Sequence, residues 1–302
     1  MINFIKRISC FILLVIFVDC TIGLLLDYAS SNANGGYTEE LNTILKEEHD
    51  VIIMGSSKAK RHYNTELIAD SLCSSVYNAG LDGNGIIYMY GLFNLLPDNK
   101  LPKIIIYDVE KYFDFYEYDS DAGNTRYLNH LKRFYWDSKS IRDIFYKIDK
   151  LSSIKLLSNS YRYNGNFINV FKDYFFEEKC SLSGYEPLYG SMKYDSQVRV
   201  DTNLAFDDVK MYFFDQFIKR VIDNNIKLFI AISPKYRIAD DSEYKPILEF
   251  ISRYPEVTVF NHYCDTLFVD NKSYFVDPMH LNNTGANLYT NIIIDKITNL
   301  YE

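Results

Sequence analysis

Two short stretches of this 302-residue chain carry residue types suited to nucleophilic chemistry with an oriented base. In the first, Val51–Asn64 (VIIMGSSKAKRHYN), an apolar run of Val51, Ile52, Ile53 and Met54 stops at Gly55-Ser56-Ser57. A serine hydroxyl is a poor nucleophile until a neighbouring base takes its proton. The second stretch, Asp277-Pro278-Met279-His280-Leu281-Asn282, supplies a base of that kind. Asp-x-x-His on a loop lets one carboxylate hydrogen-bond one imidazole nitrogen while the other nitrogen stays free for a nucleophile. Plainer readings stand beside these. Ser56 or Ser57 at a helix start is a natural N-cap. Asp277 and His280 are also metal-ligand types, but no third ligand stands at a suitable spacing, so neither a metal nor a cofactor is expected.

The positioning elements are those of an α/β sheet. A buried strand over Asp50–Met54, a tight glycine turn and a helix running to about Leu72 place the serine at the carboxyl end of a strand, where open α/β sheets bind ligands. Ser75–Asn78 reads as a second strand ending in the loop Asn78–Gly83, and Gly85–Leu96 as a helix. Ile104–Tyr107 is a continuous apolar run of the kind buried on both faces, closed by Asp108-Val109-Glu110. Asp207–Asn224 is an amphipathic helix, Ile226–Ile232 a strand, Tyr244–Tyr254 a helix and Val257–Asn261 a fifth strand. Thr284–Leu300 is a final helix after the Asp277–His280 loop. Strands alternating with helices predict a doubly wound, parallel, five-stranded sheet of flavodoxin-like order. Lys111–Phe206 breaks the rhythm and is too long for a plain loop. Helices are expected there around Ile141–Leu157 and Asn166–Phe176, as a lid over the carboxyl edge or as a structural appendage.

At 48% hydrophobic, the chain can bury one α/β core plus an insertion. A formal charge of -8 without a basic stripe argues against a nucleic-acid partner. Tyr and Phe, at 27 and 21, are concentrated between Tyr107 and Tyr189, which marks the insertion as aromatic-rich. Cys10, Cys20, Cys73, Cys180 and Cys264 show no C-x-x-C spacing, and no disulfide framework is expected.

Lys6 and Arg7 precede the apolar run Ile8–Leu26, which as a helix is about 28 Å long, enough to span a hydrocarbon core. Positive charge before the run and Asp27 after it favour an inside N-terminus and an outside main domain. A cleavable signal peptide, cut at Ser31-Asn32-Ala33, is the competing reading. Asp19 is costly in lipid; it either meets a membrane partner or lies close enough to the outer interface to stay wet. The expected organisation is an anchor and linker over 1–36 and an α/β domain over 37–302, with 111–206 inserted.

Gly55-Ser56-Ser57, Asn78-Ala79-Gly80-Leu81-Asp82-Gly83 and Asp277-x-x-His280 together resemble the first, second and fifth sequence blocks of the SGNH (GDSL-type) hydrolase superfamily, in its order and spacing. The resemblance covers most of the chain from about Val51 onward, apart from the insertion. It implies the SGNH fold, with Ser57 as nucleophile, His280 as base and Asp277 as its orienting partner. It also implies an oxyanion hole from the backbone N–H groups of Ser57 and Gly83. By position alone, Asn78 beside the loop glycines, Asp108 at a strand end and His62 five residues after the serine are candidates for substrate contact. The plainer readings are turn chemistry for Asn78, loop hydrogen bonding for Asp108 and a packing or surface role for His62.

One block departs. The family's third block ends in Gly-x-Asn-Asp, whose asparagine donates to the oxyanion; here Tyr107-Asp108-Val109-Glu110 stands instead. The bacterial, membrane-anchored SGNH-like proteins that acylate or deacylate cell-surface polymers often lack this block. The resemblance therefore implies a single-pass protein of the bacterial cell membrane with an extracytoplasmic esterase or O-acyltransferase domain. Its substrate would be an acylated, foremost an acetylated, glycan of the envelope or an exported polysaccharide, or a small ester. The alternative is a non-catalytic glycan-binding or scaffold partner of a membrane-bound acyltransferase.

Overall fold

The computed structural model describes residues 1–117, 127–176, 183–193, 205–237 and 240–300. The remaining parts of the 111–206 stretch lie outside those residues. In chain order the elements are α1 (Ile2–Ser31), α2 (Gly36–Lys46), β1 (Val51–Gly55), α3 (Ser57–His62), α4 (Thr65–Leu72), β2 (Val76–Asn78), α5 (Ile86–Phe93), β3 (Ile104–Asp108) and α6 (Lys111–Asp114). Then follow α7 (Lys139–Ile148), α8 (Lys150–Lys155), α9 (Phe167–Phe175), α10 (Asp208–Asp223), β4 (Lys227–Ile232), α11 (Lys245–Ile251), β5 (Thr258–Asn261), α12 (Thr266–Val269) and α13 (Asn283–Thr298). They form two compact units, residues 1–43 with 122–180 and residues 44–121 with 181–302.

The second unit holds a five-stranded sheet in the order β2-β1-β3-β4-β5, with every pair parallel. This is the doubly wound, flavodoxin-like α/β sheet expected from the strand rhythm. Every residue of β1 is buried, as its unbroken apolar run requires of a central parallel strand. Alternate side chains serve opposite faces. Val51, Ile53 and Ile106 join Tyr289, Ile293 and Ile297 of α13 in one core. On the other face Tyr107 packs edge-on to Phe214 of α10, ring centroids 5.4 Å apart, and Phe93 of α5 meets Phe217 at 5.5 Å. The order reverses between β1 and β3, and loops from both strand ends converge there.

Two expected helices are each split in two, for one physical reason. The helix expected from the glycine-serine turn to Leu72 is broken after His62, because the Asn64 side chain accepts the N–H groups of Glu66 and Leu67 at 3.0 and 3.4 Å and starts a new helix. Likewise Asp149 accepts the N–H of Leu151 at 2.8 Å and splits the helix expected over Ile141–Leu157 into α7 and α8. Side chains that compete for backbone N–H groups end helices that hydrophobic periodicity alone would continue.

The first unit is built on α1, whose 30 residues make it long and apolar enough to cross a membrane. Leu26 and Ala29 of α1 form a small core with Tyr163 and Val170. Asp27 pairs with Arg162 at 3.1 Å and also accepts from the Tyr163 hydroxyl. Asp19 meets partners in its own chain: its carboxylate accepts the hydroxyls of Ser158 and Ser160 at 2.6 and 2.5 Å and the N–H groups of Asn159 and Ser160 at 2.8 and 3.1 Å. Neither a foreign partner nor open water is needed to satisfy it.

Candidate active site

β1 delivers the serine through a turn that only glycine makes comfortably. Gly55 has φ +137°, and a Cβ there would lie 2.5 Å from the Asp108 carbonyl oxygen on β3. Ser56 takes the N-cap position of α3 but makes no side-chain cap bond, so the capping role read for this turn is absent. Ser57 opens α3, and its Oγ lies 2.8 Å from His280 Nε2. His280 Nδ1 faces Asp277 at 2.9 and 3.1 Å from the two carboxylate oxygens. Asp277 Oδ1 also accepts the N–H groups of Met279 and His280 at 2.8 and 3.0 Å, which fixes the loop to the carboxylate. Burial pushes the Asp277 carboxyl up, but the hydrogen bond and charge of His280, with those two amides, hold it below the usual carboxylate range. Residues 57, 277 and 280 thus stand in a hydrogen-bonded series at the carboxyl edge of the sheet.

The Asn78–Gly83 loop folds onto the serine turn. Leu81 N–H donates to the Gly55 carbonyl at 3.0 Å. Asn78 donates to the Ala59 carbonyl at 2.7 Å and accepts from Gly80 N–H at 3.0 Å. Gly83 adopts φ +68°, a left-handed conformation suited to glycine. Asp82 is engaged by Arg61 at 2.9 Å, and Arg61 also pairs with Glu186 at 2.5 Å.

The three residues considered for substrate contact lie inside the protein. Asn78 is buried in the loop bonds just given. His62 is fully buried, and its Nε2 accepts the N–H of Leu281, the residue after His280, at 3.0 Å. Burial above all, then the coulombic influence of His280 and the Lys58 ammonium, pushes the His62 imidazole well below its ordinary value, so it stays neutral and keeps an acceptor nitrogen. Asp108 is fully buried and accepts the Tyr63 hydroxyl at 2.5 Å and the Ser233 hydroxyl. All three are buried and hydrogen-bonded within the protein.

Sequence reasoning missed what stands where the third-block asparagine would be. Lys58, directly after the serine, is buried and reaches Glu110 at 2.9 Å, Asp108 at 3.5 Å and the Val109 carbonyl at 3.3 Å. Lys235, after β4, reaches Glu110 at 3.3 Å. The two carboxylates diverge. Burial raises Asp108, with Lys58 only partly offsetting it, whereas Lys235 and Lys58 together overcome burial and lower Glu110. Burial likewise lowers Lys235, to about 8. The end of β3 is therefore tied inward by ion pairs and offers no side-chain donor of the asparagine kind. The only local signal was a lysine following a strand-end turn, a pattern that usually reads as a solvated helix face. Among the described residues, no group of three or more His, Cys, Asp or Glu side chains gathers as a metal-ligand set.

No protein-family model and no curated protein matches the sequence. Among solved structures, similarity is found to a Bacteroides fragilis NCTC 9343 protein provisionally described as an acylhydrolase, at 11% identity and TM-score 0.43, covering 88% of this chain and 96% of that one. A Streptococcus pneumoniae protein provisionally described as a platelet activating factor is similar at 11% identity and TM-score 0.43, covering 95% of this chain and 98% of that one. Neither likeness is strong enough to carry a residue's role across.

Proposed function

We propose that this chain is a membrane-anchored serine esterase or O-acyltransferase of the SGNH type. The single observation that carries the reading is the Ser57–His280–Asp277 series, with 2.8 Å between Ser57 Oγ and His280 Nε2 and 2.9 Å between His280 Nδ1 and Asp277. Ser57 Oγ attacks the ester carbonyl as His280 Nε2 takes its proton, and Asp277 stabilises the imidazolium. The oxyanion is received by the backbone N–H groups of Ser57 and Gly83. His280 then returns the proton to the departing alcohol, leaving an acyl group on Ser57. Water or a sugar hydroxyl, deprotonated by His280, attacks that acyl group and restores the serine. The SGNH resemblance suggests a small acyl group, acetyl foremost, on an envelope or exported glycan.

Retention of α1 as an anchor, with the sheet domain outside the cell, is part of the proposal. Leu26 and Ala29 of α1 lie in the core of the first unit, and a cut at Ser31-Asn32-Ala33 would remove both.

A second reading rests on the inward-tied end of β3: without an asparagine donor, the fold would serve as a glycan-binding partner of a membrane acyltransferase. One experiment separates the two. The purified protein is offered p-nitrophenyl acetate, an acetylated glycan and a fluorophosphonate probe, with Ser57→Ala alongside. Acetyl release and labelling are expected, with at least a 10³-fold loss of release and no labelling in Ser57→Ala. A wild-type protein that neither labels nor releases acetyl favours the binding reading.

A further inference from the structure

The first unit carries an unusual surface beside α1. On α9, Phe167, Ile168, Phe171 and Phe175 are exposed along one stripe, while Val170 and Asp173 face inward. On α8 and just after it, Leu151, Ile154 and Leu157 form a second exposed apolar row at spacings of three. Such rows on a water-soluble surface are rare unless something covers them.

Their depth along α1 identifies what does. The Ser158–Asn159–Ser160 turn grips Asp19. Gly23 lets that turn approach so closely that a Cβ at Gly23 would lie 2.4 Å from the Asn159 Cβ. Phe167 and Phe171 share a cavity of about 570 Å³ with Ile22, Leu25 and Leu26 of α1. Higher up, Tyr174 meets Tyr28, ring centroids 6.1 Å apart. At 1.5 Å per residue, Asp19 lies about 10 Å and Ile22 about 6 Å below Leu26, where the apolar run ends. A helix that spans a bilayer with Ile8–Leu26 in hydrocarbon therefore carries this turn and the start of α9 below the membrane surface.

We propose that residues 151–175 form a foot that sinks into the outer leaflet of the lipid bilayer beside α1. The foot rests on the reading of α1 as a retained anchor. The two exposed rows meet acyl chains, and an acyl chain also suits the mostly apolar cavity between α1 and α9. Lys150, Lys155 and Lys172 border the rows and place their charges at the headgroups while their stems run along apolar surface. The serine-asparagine cradle gives Asp19 the hydrogen bonds that an apolar medium withholds.

The test uses the full chain in phosphatidylcholine vesicles with brominated acyl chains, which quench tryptophan on contact. Trp136, the only tryptophan, is first replaced in Trp136→Phe, and single tryptophans are then introduced. Leu13→Trp reports α1 and Phe171→Trp the foot. Ile168→Trp stands in for Phe171→Trp if circular dichroism shows the latter misfolded. Phe171→Trp and Leu13→Trp are expected to lose at least half their emission. Quenching of Leu13→Trp with none at either foot position overturns the foot and leaves the anchor intact. No quenching at Leu13→Trp or at the foot overturns both.

Discussion

At the level of single residues, the proposed activity depends on the groups that fix His280 as much as on His280 itself. Asp277→Asn removes the carboxylate that selects the His280 tautomer, and kcat/KM is expected to fall about 10³- to 10⁴-fold in steady-state assays. Because Asp277 is held below the usual carboxylate range, it stays ionised at any pH above that range and does not set the acid limb of the rate profile. His62→Phe leaves the Leu281 N–H without its acceptor, and a loss of about 1–3 kcal/mol is expected from urea unfolding at neutral pH. His62 also adds a pH dependence. Its folded pKa is well below the ordinary 6.5, so its contribution to stability is present above that value and is lost as pH falls below it. The stability difference between pH 7.5 and pH 5 should therefore shrink in His62→Phe. Ser57, Asp277 and His280 were legible because each sits in a short stretch with its own local pattern. The service His62 gives was not legible, since its partner is 219 positions away and nothing near residue 62 announces it.

Among the elements, the five strands were readable from their apolar runs, and the edges moved by only a residue or so, as at Ser75–Asn78 against the observed Val76–Asn78. Helix ends were less readable, because Asn64 and Asp149 compete for backbone N–H groups inside stretches whose periodicity continues. The end of β3 is the clearest departure. Lys58 and Lys235 bind Glu110 beneath the serine turn, joining the ends of β1, β3 and β4 by charge. Lys58→Met strips a buried cation from two carboxylates and is expected to cost about 3–5 kcal/mol in urea unfolding. A change of under 1 kcal/mol would mean that Lys235 alone neutralises the cluster.

For the whole molecule, the apolar N-terminal run was plain in the sequence, yet its tie to residues 158–160 was not. Asp19 looked like a liability in lipid because its partners lie far along the chain. With α1 retained, mass spectrometry of the membrane-fraction protein should detect peptides from before Ser31. A chain beginning after Ala33 would end the anchor reading. The sheet is assembled from segments on both sides of the 122–180 excursion, since β3 pairs with β4 in register Ile104↔Lys227 to Asp108↔Ala231. Ser57 belongs to the early segment and His280 to the late one. On the proposed reading, Ser57 is synthesised long before residues 277–281, so a half-made chain holds the nucleophile without the base that would activate it.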